Sequence, residues 1–145
     1  MNALELLKRD HRKVLEILSE IEQTSERAVK TRESLFTKLF QLLKTHEKME
    51  EKILYPAAEK SPEMEDLVKE AYEEHHVVDN ILAEVSKLSA NAENWKAKIT
   101  VMRENLEHHI KEEEQQLFPQ LEKKFDQQTL TQFGDKMQKI QDKAN

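Results

Sequence analysis

"HEKMEEKILYP" at residues 46–56 and "HIKEEEQQLFP" at residues 109–119 are one phrase written twice. His46 falls on His109, Glu50 on Glu113, Leu54 on Leu117, Tyr55 on Phe118 and Pro56 on Pro119, at a shift of 63 residues. The segment ahead of each phrase repeats too. "DHRKVLEIL" (10–18) aligns with "EHHVVDNIL" (74–82), which sets His11 on His75, Val14 on Val78 and Ile17-Leu18 on Ile81-Leu82. The second shift is 64 residues, and a loop absorbs the difference of one. The chain therefore reads as two copies of a helix pair.

The rest of the sequence agrees with helices. The 145 residues include one glycine, Gly134, and three prolines. That length suits a single domain, 1–145, able to bury a core without staples. Glutamate, lysine, leucine and glutamine dominate, and strand-type runs are absent. Apolar residues at helical spacing mark helices over about 3–25, 34–59, 62–88, 92–123 and 127–142. Ser61 and Asn91 are expected caps, Pro62 suits a first helical position, and the last helix opens after Asp126. Pro56 and Pro119 are expected to kink or end their helices, because proline lacks an N–H and clashes with the preceding turn. Short links between long helices predict an all-α, up-down-up-down four-helix bundle over about 3–123, with a short C-terminal fifth helix.

Several classes are excluded or disfavoured. With no cysteine there is no disulfide, thiolate zinc site or iron–sulfur cluster within this chain. A net charge of −6 with no basic stripe gives no reason to expect nucleic acid. No apolar run approaches the roughly 20 residues of a membrane span. The N-terminal stretch shows no signal peptide, so a cytoplasmic location is expected.

The repeated residues carry chemistry. A helix turns once in about 3.6 residues, so His46 and Glu50 share a face, as do His109 and Glu113. His11, His46, His75 and His109 all lie on or beside apolar stripes. A carboxylate buried there is costly unless it is paired or bound to a metal. One histidine on such a stripe is ordinary. Four of them, one per helix and two with glutamate four residues on, point to a polydentate site. Imidazole with carboxylate suits iron, manganese or zinc, and two glutamates among two histidine clusters suit two ions. His76 and His108 face polar surroundings. Glu47, Glu51, Glu112 and Glu114 read most simply as surface charge, and Tyr55, Phe118 and Trp95 as core.

Taken together, "RDH", "HEKMEEKILYP", "EHH" and "HIKEEEQQLFP" make residues 4–122 resemble the hemerythrin-like, or HHE cation-binding, family. The resemblance implies a non-haem di-iron centre inside a four-helix bundle. The two iron ions would be oxo- or hydroxo-bridged when ferric, with manganese or zinc as substitutes. On matching positions His11, His46, His75 and His109 would be terminal ligands, and Glu50 and Glu113 would bridge. The chain departs from the oxygen carriers of the family. Asp79 stands where their third helix has a further histidine, and the fourth helix has Glu113 four residues after His109, with Glu114 at the fifth. The pattern is similar to a branch with H, H-x-x-x-E, H, H-x-x-x-E. In one member of that branch the residue after the second-helix histidine is also a ligand, which adds Glu47 here; Asp79, one turn from His75, is a second addition.

About four protein ligands per ion leave positions for a small partner: dioxygen, nitric oxide or peroxide. The leading expectation is a di-iron protein that binds or reacts with these, or senses oxygen or iron. If it is an enzyme, peroxide consumption or other oxidoreductase chemistry at the di-iron centre is expected. Iron storage is a second reading, although only one E-x-x-H, Glu73 to His76, is present. A metal-free helical interaction module is the third.

Overall fold

The computed structural model describes residues 1–145 and contains no strand. α1 (Ala3–Glu22) opens on a capping box: the Asn2 side chain accepts from the Glu5 N–H at 2.9 Å, and the Asn2 N–H donates to Glu5 Oε1 at 3.4 Å. Both bonds satisfy groups that a first turn leaves bare. α2 (Val29–Met49) begins at Val29 rather than at the expected Ser34. The early turn holds Arg32, which is buried. Its guanidinium donates to the Ala90 carbonyl at 2.8 Å and the Thr24 carbonyl at 3.1 Å, and lies 4.9 Å from the centre of the Trp95 ring. Arg32 thus ties together two loops at one end of the bundle. Apolar periodicity does not register a buried arginine.

α2 continues without a break into a π turn (Glu50–Leu54) and then α3 (Tyr55–Ala58). After α4 (Pro62–Ser86), the second half repeats this: α5 (Trp95–Glu112), a π turn (Glu113–Leu117) and α6 (Phe118–Lys124). In each π turn an N–H reaches five residues back, Tyr55 to Glu50 and Phe118 to Glu113. Of the two expectations for the prolines, a kink or an end, the structure shows the regular α pattern interrupted by a π turn ahead of each, with the helix continuing to Ala58 and to Lys124. A proline ring crowds the carbonyl four residues earlier. The wide turn just ahead of Pro56 and Pro119 relieves that crowding, and the helix runs on.

Ser61 stands at the N-cap of α4 and Pro62 at its first position, but the Ser61 hydroxyl makes no capping bond. α5 takes Asn94, not Asn91, at its N-cap position. α7 (Gln127–Ala144) opens as expected, with Asp126 accepting from the Thr129 N–H at 2.8 Å. α1 packs on α2, α3 on α4, α4 on α5 and α5 back on α1, which closes a four-membered ring of rods. α7 lies across α1 and α2. It passes the start of α1 so closely that a Cβ on Gly134 would clash with the Met1 carbonyl oxygen.

The core is in two pieces. One holds Leu4, Leu7, Leu54, Val68, Leu117 and Phe118; the other holds Val14, Leu18, Leu39, Val78, Leu82, Trp95 and Leu106. Between them each rod of the ring contributes buried polar groups: Asp10 and His11, then His46, Glu47 and Glu50, then His75, and His109 with Glu113. A polar layer crosses the bundle at mid-height.

Candidate metal centre

The four histidines and two glutamates of the repeat meet in this layer, each at most 5% exposed. His11 and His46 form one pair, ring centroids 4.9 Å apart; His75 and His109 form the other at 5.0 Å. Each pair comes from one half of the chain. Each glutamate spans the two pairs. Glu50 Oε2 lies 3.4 Å from His46 Nε2, while Glu50 Oε1 lies 3.1 Å from His75 Nε2 and 3.9 Å from His109 Nε2. Glu113 Oε2 lies 3.3 Å from His109 Nε2, and Glu113 Oε1 lies 3.2 Å from His11 Nε2. Two nitrogens and two carboxylate oxygens thus face each of two positions.

All four Nδ1 atoms turn outward onto carboxylates. His11 Nδ1 pairs with Glu114 at 2.6 Å, His46 with Asp10 at 3.2 Å, His75 with Glu51 at 2.7 Å and His109 with Glu74 at 2.7 Å. The repeat holds here as well. Asp10 and Glu74 each precede the first histidine of their half, and Glu51 and Glu114 each follow the glutamate that spans the two histidine pairs. An Nδ1–H donated outward fixes the ring and leaves Nε2 as the inward atom. The expectation that Glu51 and Glu114 are only surface charge is corrected. Each is half-buried and holds an imidazole. The signal was present in the sequence: each stands beside a ligand candidate at the same place in both halves.

Inward, the buried atoms are not satisfied. His11 Nε2, His46 Nε2, His109 Nε2, Glu50 Oε2 and Glu113 Oε1 have no hydrogen-bond partner. Buried polar atoms are rarely left so. Five in one layer, all aimed at its centre, form a donor set of the imidazole–carboxylate type that suits a transition metal. Six carboxylates surround the four imidazoles, so the layer carries the negative charge a cation would neutralise. In the metal-free chain protons take that role. Burial disfavours charge on His46, but Glu50, Asp10 and Glu113 outweigh it and raise it to about 10. Burial likewise opposes ionisation of Glu50, and His46 with the other imidazoles overcomes it, holding the carboxyl well below the usual range.

Glu47 and Asp79 are not part of this set. Glu47 is buried, which corrects its reading as surface charge, and burial, then a bond to Asp79, raises it to about 8. Asp79 is half-buried and pairs with Lys44 Nζ at 2.9 Å. Ile110 and Leu15 hold their places in the opposite halves of the repeat, so this pair has no two-fold mate. Glu47 does line a small cavity of about 20 Å³ beside the imidazoles, walled also by Val14, Leu43, Val78, Leu106 and Ile110. His76 and His108 are exposed, and His108 contacts Glu112 and Glu74 at the surface. Tyr55 is core, as expected, but its hydroxyl also enters the layer. It donates to Glu113 Oε2 and lies 3.4 Å from His75 Nε2.

Residues 2–121 match the family described as the hemerythrin HHE cation binding domain, and the chain belongs to that family. Cation binding is the property that membership carries. Over 118 residues the chain is 25% identical to a DNA nickase of a Nostoc species; the match takes in 81% of this chain and 33% of that protein, so the chain spans a third of its length. A hemerythrin HHE cation binding domain-containing protein from Mycobacterium kansasii shares the fold, with a TM-score of 0.86 at 24% identity over 99% of this chain and 87% of that one.

Proposed function

We propose that the chain holds two iron ions, one at His11 and His46 and one at His75 and His109, with Glu50 and Glu113 bridging, and that the centre binds or reacts with dioxygen, peroxide or nitric oxide. The observation that carries this reading is the convergence of unpartnered Nε2 and carboxylate oxygens, each glutamate giving one oxygen to each histidine pair. Bound iron would supply Lewis acidity and one-electron redox chemistry at positions the protein leaves open. The chain's own residues do the rest. The outer carboxylates orient the imidazoles. Val14, Leu43, Val78 and Leu106 exclude bulk water from the cavity above the rings. A cavity of about 20 Å³ admits one guest of roughly water size, which favours a diatomic or peroxide over an organic substrate. Glu47 holds a proton at its carboxyl beside that space.

Nicking of DNA is not part of the proposal, because a net charge of −6 disfavours a phosphate backbone. Metal analysis of the purified chain is the direct test, together with near-ultraviolet absorption and the rate of peroxide consumption. Close to two irons per chain with peroxide consumed supports the reading. A chain that takes up no iron, and whose stability is indifferent to chelators, overturns it.

A further inference from the structure

Tyr55 breaks the symmetry of an otherwise two-fold layer. Ligand candidates and outer carboxylates are matched across the repeat, but Phe118 stands where Tyr55 does and lacks the oxygen. The rings sit alike: Tyr55 beside His75 with centroids 5.5 Å apart, and Phe118 beside His11 at 6.1 Å. The difference falls on two equivalent carboxylate oxygens. Glu113 Oε2, which faces His109 of its own half, accepts the Tyr55 hydroxyl. Glu50 Oε2, which faces His46 of its own half, has no partner. Tyr55 is fully buried, and Tyr72 packs edge-on against its ring at 5.2 Å, so the hydroxyl has no water to turn to.

We propose that Tyr55 makes the two metal positions unequal: the ion at His75 and His109 binds second and leaves first. This rests on the dinuclear reading above. A hydroxyl donating to a carboxylate oxygen occupies a lone pair and withdraws charge, which weakens that oxygen as a metal donor. The oxygen so weakened belongs to the His75/His109 position. Tyr55 acts here as a positioning residue, through Glu113.

The test is a titration of the metal-free full-length chain with Zn²⁺, followed by calorimetry and by the imidazole nitrogen signals in NMR. The first equivalent should move the signals of His11 and His46, and the second those of His75 and His109. A hydrogen bond to a charged acceptor corresponds to roughly ten-fold in affinity or more, which sets the expected gap between the steps. Tyr55→Phe should close that gap by about ten-fold, and adding Phe118→Tyr should move the weak position to His11 and His46. Two ions that fill both pairs together in the unmodified chain, or an unchanged gap in a folded Tyr55→Phe chain, overturn the inference and leave the dinuclear reading intact. Fewer than two Zn²⁺ per unmodified chain overturns the dinuclear reading itself.

Discussion

Glu50 and Glu113 each touch both histidine pairs, so either one holds the centre together in a way no single imidazole does. Glu50→Ala or Glu113→Ala should abolish retention of metal through desalting, whereas His108→Ala, at an exposed ring, should leave metal per chain unchanged. Loss of metal in the His108 variant would mean that helix α5 is read one residue out of register. The outer carboxylates act through ring orientation. Glu51→Ala or Glu114→Ala should lower metal affinity by about ten- to a hundred-fold in chelator competition. Glu47 gives a pH prediction. In the metal-free chain its carboxyl stays neutral up to about 8, while unfolded it ionises near its ordinary 4.5. Across that window the folded state binds more protons, so this group's contribution to stability falls as pH rises. Glu47→Gln should flatten the fall, read as the urea midpoint against pH, and should keep its metal. The six inner residues were legible because the repeat doubled each one. The outer carboxylates are doubled as well, but doubling alone does not tell a carboxylate at the edge of a helix face that meets water from one that meets an imidazole. Tyr55 was masked by its ring, which belongs to the core in either reading.

At the scale of elements, the helices were legible from their apolar stripes, and the two π turns were not. Their backbone pattern changes hydrogen bonding without changing which residues are apolar. Only the proline that follows each one marks the place, and it reads as a stop. Each π turn begins at a glutamate that spans the two histidine pairs, and a π turn inside a helix is a common feature of functional sites. The turn brings Tyr55, five residues past Glu50, around to the polar layer. Two substitutions probe the packing of the end elements. Asn2→Ala removes a capping box and should cost about 1 kcal/mol in denaturant unfolding. Gly134→Ala should also destabilise. Alanine is the better helix former by about 1 kcal/mol, yet its Cβ would meet the backbone of Met1 and Asn2. A rise in melting temperature for Gly134→Ala would show that α7 does not press on α1 in solution.

At the scale of the molecule, metal binding and protonation compete for one layer. His46, raised to about 10, and His109, raised well above the ordinary range against the opposing effect of burial, must give up protons before Nε2 can ligate. Affinity for metal should therefore fall as pH falls, measured by chelator competition across neutral pH. In the metal-free chain the sign is separate. A raised histidine stabilises the fold fully below its unfolded value near 6.5, and that contribution is lost as pH rises toward 10 for His46. Metal-free protein should lose melting temperature on going alkaline, and the metal-loaded form should lose less.

The crossing of partners through the layer has one more consequence. Glu50 and Glu51 of the first half reach His75 of the second, and Glu113 and Glu114 reach back to His11. A cation seated there would also join the two apolar clusters on either side of the layer, each of which already draws on both hairpins. With metal, the two ends of the bundle should exchange their amide hydrogens as one cooperative unit; without it, they should open separately. In a chain with no cysteine, the proposed metal would then serve as a removable staple, fastened on binding and released by acid.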